Sequence, residues 1–512
     1  MSFRRQLYLF HRRAGIVLCL FFALWFFSGL FMMYVEFPQL IAPERRAGAA
    51  DLDFSSATVA PAEAVTRLKA GDFAISGTPS RNVSRNVGDP AAPATDIAGI
   101  QLGMLEHRPV YRIQAASNAQ SRVVFADDGA VLRDVTSELA HRELTDFLKR
   151  AGRAAALTYQ GIIQTDQWTV SSAMNAHRPL HKFSVDDAAG TQLYVSSSTA
   201  EVVRDSSRRE RMLNYFGAVT HWLYPTAIRK FPDAWAWMVD ILSGVATALA
   251  ITGVWIGLLR WKRRPGRSVS PYQGLMKWHH FTGLAFGVFA VTWVFSGLLS
   301  MNPGDFNPPR TPSKAETLVL PGKHFTPEDF SVPTFAHLGA HAVEAEFFHS
   351  DSQPYLKITS RDSASRVVYA GAEATEHAID TDKLYSKLGQ LKPSAALERV
   401  ETLTRYDNYY YSRRPELGGR VLPVIRARFN DDARTWFHID PQTGQVLERS
   451  TRANRVYRWL YNGLHSFDIL WLWERRPLWD IVVITFSLGG MALSVIGVVI
   501  GIKRLQWKFG RL

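Results

Sequence analysis

HRRAGIVLCLFFALWFFSGL, residues 11–30, and HHFTGLAFGVFAVTWVFSGL, residues 279–298, are two apolar segments built on one pattern. On a helix, the positions 4, 14 and 18 residues after the first histidine return to within about 40° of it, so histidine, both glycines and tryptophan share one face. A histidine beside a glycine offers a nitrogen for a metal and a gap for the edge of a flat ring. The repetition therefore indicates a cofactor site shared by two related helices. The pairs, each separated by 268 residues, are His11/His279, Gly15/Gly283, Trp25/Trp293, Ser28/Ser296 and Gly29/Gly297.

Four segments are long and apolar enough to cross a bilayer, whose hydrocarbon core of about 30 Å needs roughly 20 helical residues. They are residues 14–34, 236–259, 281–301 and 481–502. The first segment is too long for a signal peptide and carries the histidine that the third repeats, so we expect it to remain in the chain. The fold class predicted is an integral membrane α-helical protein with four spans.

Basic residues mark one side of the membrane. Fourteen lysines and arginines lie in residues 1–13, 260–277 and 503–511, with no acidic residue among them, and the whole chain has a net charge of +13. By the positive-inside rule both termini face the cytoplasm and the two large loops face out. Because the excess charge is explained by topology, membrane lipid is an expected partner and nucleic acid is not.

The loops predict two extracytoplasmic α+β domains. Alternating residues indicate strands at 110–114, 122–125 and 191–195 and again at 355–358 and 435–439, and residues 61–68 indicate a short helix. Tyr111/Tyr355, Pro179/Pro423 and Thr191/Thr435 match at a separation of 244 residues, which predicts an internal duplication. The predicted divisions are 1–36, span 1 with a cytoplasmic N-terminus; 37–208, the first domain; 209–262, a short helix and span 2; 263–276, a cytoplasmic loop; 277–301, span 3; 302–450, the second domain; and 451–512, a short helix, span 4 and a cytoplasmic tail.

Four of the fifteen histidines lie at the ends of the spans. His11 and His279 lie at the predicted cytoplasmic ends of spans 1 and 3, and we call them the inner pair. His221 and His465 precede spans 2 and 4 on the other side, and we call them the outer pair. Two histidines at each face is the number needed for two bis-histidine haems, and a histidine that only reaches the headgroups is the alternative. His280 is the alternative to His279 as a ligand.

The composition limits the type of haem. Cys19 is the single cysteine and lies inside span 1, so there is no haem-attachment motif, no cysteine cluster for iron and sulfur, and no disulfide. Any haem must therefore be of the b type, held without covalent attachment. Gly15 and Gly283, one turn from the inner pair, are predicted to make room for the ring.

Arginines near the outer pair are candidates for binding haem propionates, because a guanidinium can clamp a carboxylate with two hydrogen bonds. The alternative is that they bind lipid headgroups. A separate aromatic run at residues 405–414 either faces a bulky substrate or forms half-buried sheet and turn. The basic residues near the outer pair are Arg458, Arg475 and Arg476 near His465, and Arg229 and Lys230 near His221.

Taken together, these motifs resemble the PepSY-associated transmembrane helix family. The resemblance rests on the His-x-x-x-Gly start of spans 1 and 3, on Leu464-His465 before a glycine-rich last span, and on the strand end at 439–446, Ile-Asp-Pro-Gln-Thr-Gly-Gln-Val. It covers nearly the whole chain and implies PepSY-like folds for both loops. Characterised members of the family are inner-membrane di-haem proteins that reduce ferric siderophores in the periplasm.

The resemblance implies a haem-dependent oxidoreductase that carries two haems b and passes electrons to a ferric siderophore. The electron donor would be a quinol or a cytoplasmic reductase. One alternative is a haem-free membrane scaffold or transporter whose loops bind a partner or a protease. Another is a haem protein that acts on quinone or thiol.

Overall fold

The computed structural model describes residues 2–70, 97–115, 121–261, 269–331, 341–371, 378–415 and 419–509. Residues 263–268 of the predicted cytoplasmic loop lie outside this part. The chain forms two compact units. One consists of Met1–Phe37, Arg209–Pro308 and Ala453–Leu512, and the other of Pro38–Arg208 and Pro309–Arg452.

The helices are, in chain order, α1 (Phe3–Met32), α2 (Ala42–Gly48), α3 (Pro61–Ala70), α4 (Ser137–Arg150), α5 (Arg208–Phe216), α6 (Ala218–His221), α7 (Thr226–Arg229), α8 (Pro232–Arg260), α9 (Gly274–Leu299), α10 (Lys314–Val319), α11 (Thr381–Lys387), α12 (Arg452–Arg458), α13 (Leu464–Ser466), α14 (Leu470–Trp473) and α15 (Leu478–Phe509). The strands are β1 (Ile97–Leu105), β2 (Arg108–Ala115), β3 (Arg122–Phe125), β4 (Leu157–Ile163), β5 (Leu180–Val185), β6 (Gln192–Ser196), β7 (Val202–Ser206), β8 (Ala342–Ser350), β9 (Gln353–Ser360), β10 (Ser365–Tyr369), β11 (Leu397–Leu403), β12 (Val424–Phe429), β13 (Trp436–Ile439) and β14 (Val446–Ser450).

The first unit is a bundle of the long helices α1, α8, α9 and α15. Each is long and apolar enough to cross a membrane, so the four predicted spans are confirmed. A helix satisfies its own backbone hydrogen bonds, which is why such apolar runs are helical in lipid. Helix α1 packs mainly against α15, and α8 against α9. Their core consists of Leu18, Phe22, Phe26, Ala246, Leu249, Ala290 and Val294.

The same chain reversal precedes α8 and α15. Leu223 and Phe467, two residues after each outer histidine, both have left-handed φ angles, of 52° and 48°. The indole N–H of Trp235 donates to the carbonyl of Trp222 at 3.0 Å, and that of Trp479 to the carbonyl of Ser466 at 3.0 Å. These partners are separated by the same 244 residues that relate the loops. The reversal fixes each outer histidine ahead of its span.

The second unit contains both loops in a shared architecture. A six-stranded antiparallel sheet has the order β10-β9-β8-β1-β2-β3, and two four-stranded sheets have the orders β4-β5-β6-β7 and β11-β12-β13-β14. Strands β12, β13 and β14 each begin 244 residues after β5, β6 and β7. Apolar side chains from the sheets and from α3, α4 and α11 form the cores.

The prediction of two separate loop domains differs from this arrangement. Strand β1 of the first loop pairs with β8 of the second loop, with Ile100 opposite Phe347 and Leu102 opposite Ala345. Because each of these strands would otherwise leave an edge of unpaired backbone groups, their pairing joins the two loops in one sheet. The loops are therefore one compact unit instead of one domain each.

Candidate functional site

The inner pair is formed by one histidine from α1 and one from α9. The ring centroids of His11 and His279 lie 6.5 Å apart, with their planes inclined at 46°. Each histidine lies in the first half of a long apolar helix, so the bundle itself sets their spacing. The two residues that were 268 positions apart in the sequence thus face each other across the helix interface.

A cavity of about 540 Å³ surrounds the inner pair. This volume lies within the range of about 300–1,000 Å³ that is usual for sites of small ligands and cofactors. A Cβ atom placed on Gly15 would have no heavy atom closer than 3.9 Å, and one on Gly283 none closer than 3.7 Å, so a methyl group would fit at either position in ordinary van der Waals contact. The glycines that line the cavity are Gly15, Gly253, Gly257, Gly283, Gly287, Gly497 and Gly501.

Glycine also allows the inner histidines to pack against a neighbouring helix. A Cβ on Gly253 would lie 2.7 Å from Cε1 of His11, and one on Gly497 would lie 3.5 Å from Cε1 of His279. The recurrence of these two glycines was visible in the sequence. Their contact with the histidines was not, because it depends on how α8 and α15 pack.

The outer pair has the same arrangement at the other end of the bundle. The ring centroids of His221 and His465 lie 6.0 Å apart, with planes at 77°. Gly29 and Gly297 lie beside these rings, since a Cβ on either would be 3.7 or 3.6 Å from the nearest Cε1. Both outer histidines belong to the short helices α6 and α13, which the chain reversal holds in place.

Hydrogen bonds identify the nitrogen that is available for a metal. Nδ1 of His11 lies 3.2 Å from the carbonyl of Leu249, and Nδ1 of His465 lies 3.2 Å from that of Trp293. A carbonyl can only accept, so Nδ1 carries the proton in both rings and Nε2 keeps the lone pair.

His280 is engaged elsewhere. It is 6% exposed, its Nδ1 lies 2.9 Å from the hydroxyl of Ser270, and its Nε2 lies 2.9 Å from the carbonyl of Gly257. Both ring nitrogens therefore have partners within the protein. The structure brings His279, and not His280, to face His11.

The distances in both pairs fit two ligands of one metal ion. Two nitrogen–metal bonds of about 2 Å, together with the radii of two five-membered rings, place the centroids about 6 Å apart. Among the described residues there is no cluster of three or more histidine, cysteine, aspartate or glutamate side chains that could hold a metal ion in another way. Both pairs therefore have the ring spacing that a haem held by two imidazoles would need, and the inner pair also has the glycine-lined cavity.

A model of the PepSY-associated TM region matches residues 8–342, which is more than half of the chain. The chain belongs to the PepSY-associated TM family. Together with the four apolar helices, this shows that it is a membrane protein. A comparison with curated proteins found no match. The family match includes His11, His221 and His279 but ends before His465, whose place in the outer pair comes from the structure.

The arginines that were predicted to hold propionates have protein partners in this family member. Arg458 is 2% exposed, donates to the carbonyl of Asp468 and lies 4.5 Å from the ring of Trp459. Arg475 donates to the carbonyl of Trp471 at 2.7 Å, and Arg476 pairs with Asp480 at 2.5 Å. Arg475 and Arg476 are exposed.

The aromatic run at residues 405–414 is mostly packed into the second unit. Tyr410 is 2% exposed, stacks on His438 at 4.6 Å and donates to the carbonyl of Val421 at 3.0 Å. The buried guanidinium of Arg426 donates to both carboxylate oxygens of Asp407, at 2.6 and 3.0 Å. These contacts favour the half-buried interpretation of the run over a surface for substrate.

Two residues at the outer pair were not predicted as part of the site. The hydroxyls of Ser28 and Ser296 lie 3.0 Å from Nδ1 of His221 and His465, respectively. Their recurrence at 268 residues was a signal in the sequence, but it did not indicate which residue each serine contacts. That contact is made with a residue more than 160 positions away.

Proposed function

We propose that this chain is a b-type di-haem oxidoreductase of a bacterial inner membrane, which passes electrons to a ferric siderophore in the periplasm. The proposal rests on the inner and outer histidine pairs, whose ring centroids lie 6.5 and 6.0 Å apart at the two ends of one helical bundle. We also interpret the chain as two copies of one unit, since residues 268 or 244 positions apart make equivalent contacts in both halves.

When bound, haem supplies reversible one-electron chemistry between Fe(III) and Fe(II). The chain's own residues hold and orient it. Nε2 of each histidine would be the ligand, and Nδ1 of His11, His221 and His465 is anchored on a carbonyl or a hydroxyl, which fixes the ring plane. The apolar helices exclude water, and the glycines leave the space for the ring. Since the single cysteine lies in α1, no covalent attachment is involved.

The substrate is proposed from the family resemblance and from the chemistry of iron chelates. A siderophore holds Fe(III) through hard oxygen donors, and one electron reduces the metal to Fe(II), which these donors hold less strongly. The metal is released and no bond within the chelator has to break. The donor would be a quinol or a cytoplasmic reductase, each supplying its electrons one at a time. The basic residues predict that the inner pair faces this donor.

The test begins with the detergent-purified full chain. A reduced-minus-oxidised spectrum and a pyridine haemochrome assay should give two haems per chain, both extractable with acid and acetone. Dithionite-reduced protein should then be reoxidised by a ferric siderophore, with Fe(II) trapped by a ferrous chelator. A chain that neither contains nor takes up haem is a scaffold or transporter instead. If a quinone or a disulfide reoxidises the protein and ferric siderophores do not, the proposed haems would stand but the proposed siderophore substrate would be wrong.

A further inference from the structure

Ser28 and Ser296 occupy equivalent places beside the outer pair, and both are fully buried. Serine in a membrane helix commonly donates to a carbonyl of its own preceding turn and needs no other partner. Ser243 and Ser494 do this, at 2.6 and 2.7 Å. Ser28 and Ser296 also bond to their own helix, but each has in addition the Nδ1 of an outer histidine at 3.0 Å.

The direction of these hydrogen bonds follows from their acceptors. The hydroxyl of Ser28 donates to the carbonyl of Trp25 at 3.2 Å, and that of Ser296 to the carbonyl of Trp293 at 2.9 Å. A hydroxyl has one proton to donate, so toward the histidine each serine acts as acceptor. Each outer ring therefore donates its Nδ1 proton to a serine oxygen whose own proton is bound to a helix carbonyl, and Nδ1 of His465 has the carbonyl of Trp293 as a further acceptor at 3.2 Å.

The inner pair lacks this hydroxyl. Nδ1 of His11 has the carbonyl of Leu249 at 3.2 Å, and no hydroxyl among the described residues bonds to either inner ring. An imidazole with an added hydrogen-bond acceptor at Nδ1 is a more basic ligand through Nε2 and favours the higher oxidation state of its metal. The two pairs are alike in ligand type and spacing but differ in this outer layer of contacts.

We propose that Ser28 and Ser296 are positioning residues, which hold the outer imidazoles by Nδ1 and lower the reduction potential of iron at the outer pair relative to the inner pair. This inference rests on the proposed function. A chelator that prefers Fe(III) makes its iron harder to reduce, so a stronger reductant at the outer pair suits such a substrate. One electron would pass from iron at the outer pair to the iron of each ferric chelate. Iron at the outer pair would be oxidised to Fe(III) as the chelated iron is reduced to Fe(II).

The experiment compares Ser28→Ala, Ser296→Ala and the double variant with wild type in the full haem-loaded chain. Redox titration followed in the visible spectrum gives the midpoint potential of each haem. The outer haem should shift to a more positive potential in each single variant and further in the double variant, with the inner haem unchanged. Outer-haem affinity should fall by about tenfold, the lower end of the effect usual for such partners.

Two controls make the result specific. Ser243→Ala removes a buried hydroxyl that bonds only to its own helix, and it should change neither potential. Ser28→Thr keeps the hydroxyl and should restore the wild-type value. If the alanine variants lose the outer haem, retention of the inner haem and rescue by threonine would support the proposal. Unchanged potentials with both haems bound, or equal shifts in Ser243→Ala, would overturn it, whereas a wild-type chain without haem would remove the proposed function itself.

Discussion

Replacing Gly253 by alanine should disable the inner pair while leaving the bundle folded. The new Cβ would lie 2.7 Å from Cε1 of His11, and ordinary contact begins at 3.4 Å, so the ring must move by about 0.7 Å. A metal–ligand distance tolerates about 0.2 Å. Moving the ring also disturbs the hydrogen bond from its Nδ1 to the carbonyl of Leu249. The displacement therefore removes His11 as a ligand.

The fold should tolerate this change. Crowding a packed interior costs about 1–3 kcal/mol, and alanine favours a helix over glycine by about 1 kcal/mol, so the net cost is about 0–2 kcal/mol. The haem-to-chain ratio and the low-spin visible spectrum are the measurements, and the inner haem should be lost or become high-spin. Gly244→Ala is the matched control, since a Cβ there meets no atom within 4 Å on the same helix. A Gly253→Ala protein with two low-spin haems would refute the reasoning.

Other changes test the remaining parts of the site and of the second unit. Gly15→Leu should abolish binding of the inner haem while the span still inserts, because leucine favours insertion; full haem occupancy with reduced stability would point instead to a helix-packing role. His465→Ala should remove the outer haem and leave the spectrum of the inner haem largely intact, and equal loss of both haems would contradict the pairing. His280→Ala should retain two haems by the haemochrome assay, since its nitrogens bond to protein atoms. Asp407→Asn should destabilise the chain by roughly 3 kcal/mol in denaturant at neutral pH, because it leaves the buried guanidinium of Arg426 with a weaker partner. Burial raises the pKa of Asp407, but the hydrogen bonds from Arg426 outweigh burial and hold the pKa below its ordinary value. The stabilisation is therefore present at neutral pH and is lost as the pH falls through the lowered pKa. Equal stability of variant and wild type at pH 7 would contradict the prediction.

The spans and the facing of the histidines could be predicted from the sequence because both depend on local properties. An apolar run of sufficient length must be helical in lipid, and a histidine at a given end of a span has a fixed depth. His11 and His279 were expected to meet for this reason, and the structure places them 6.5 Å apart. The strands of the loops follow in the same way from alternation of apolar and polar residues.

What could not be predicted depends on contacts between distant segments. The pairing of β1 with β8 has no signal in either strand, since each only shows that it is a strand. The contact of Gly253 with His11 requires the packing of α8 against α1, and the hydrogen bond of Ser28 to His221 requires the position of α6. Recurrence in the sequence marked these positions as related but gave them no partner.

The pairing explains why both halves of the chain are needed for one site. Each pair takes one histidine from each half, since His11 and His221 precede residue 270 and their partners follow it. The helices also pack across the two halves, because α1 packs mainly on α15 and α8 packs on α9. In the second unit, the edge strand of one loop completes the sheet of the other. Neither half alone contains a complete histidine pair, all four bundle helices or the whole six-stranded sheet. The two histidines of each pair occupy equivalent places in the two halves, whereas the two pairs differ from each other, since a serine hydroxyl lies at Nδ1 of each outer ring and the carbonyl of Leu249 lies at Nδ1 of His11. One sequence pattern, used twice, in this way supplies both histidines of each proposed haem site.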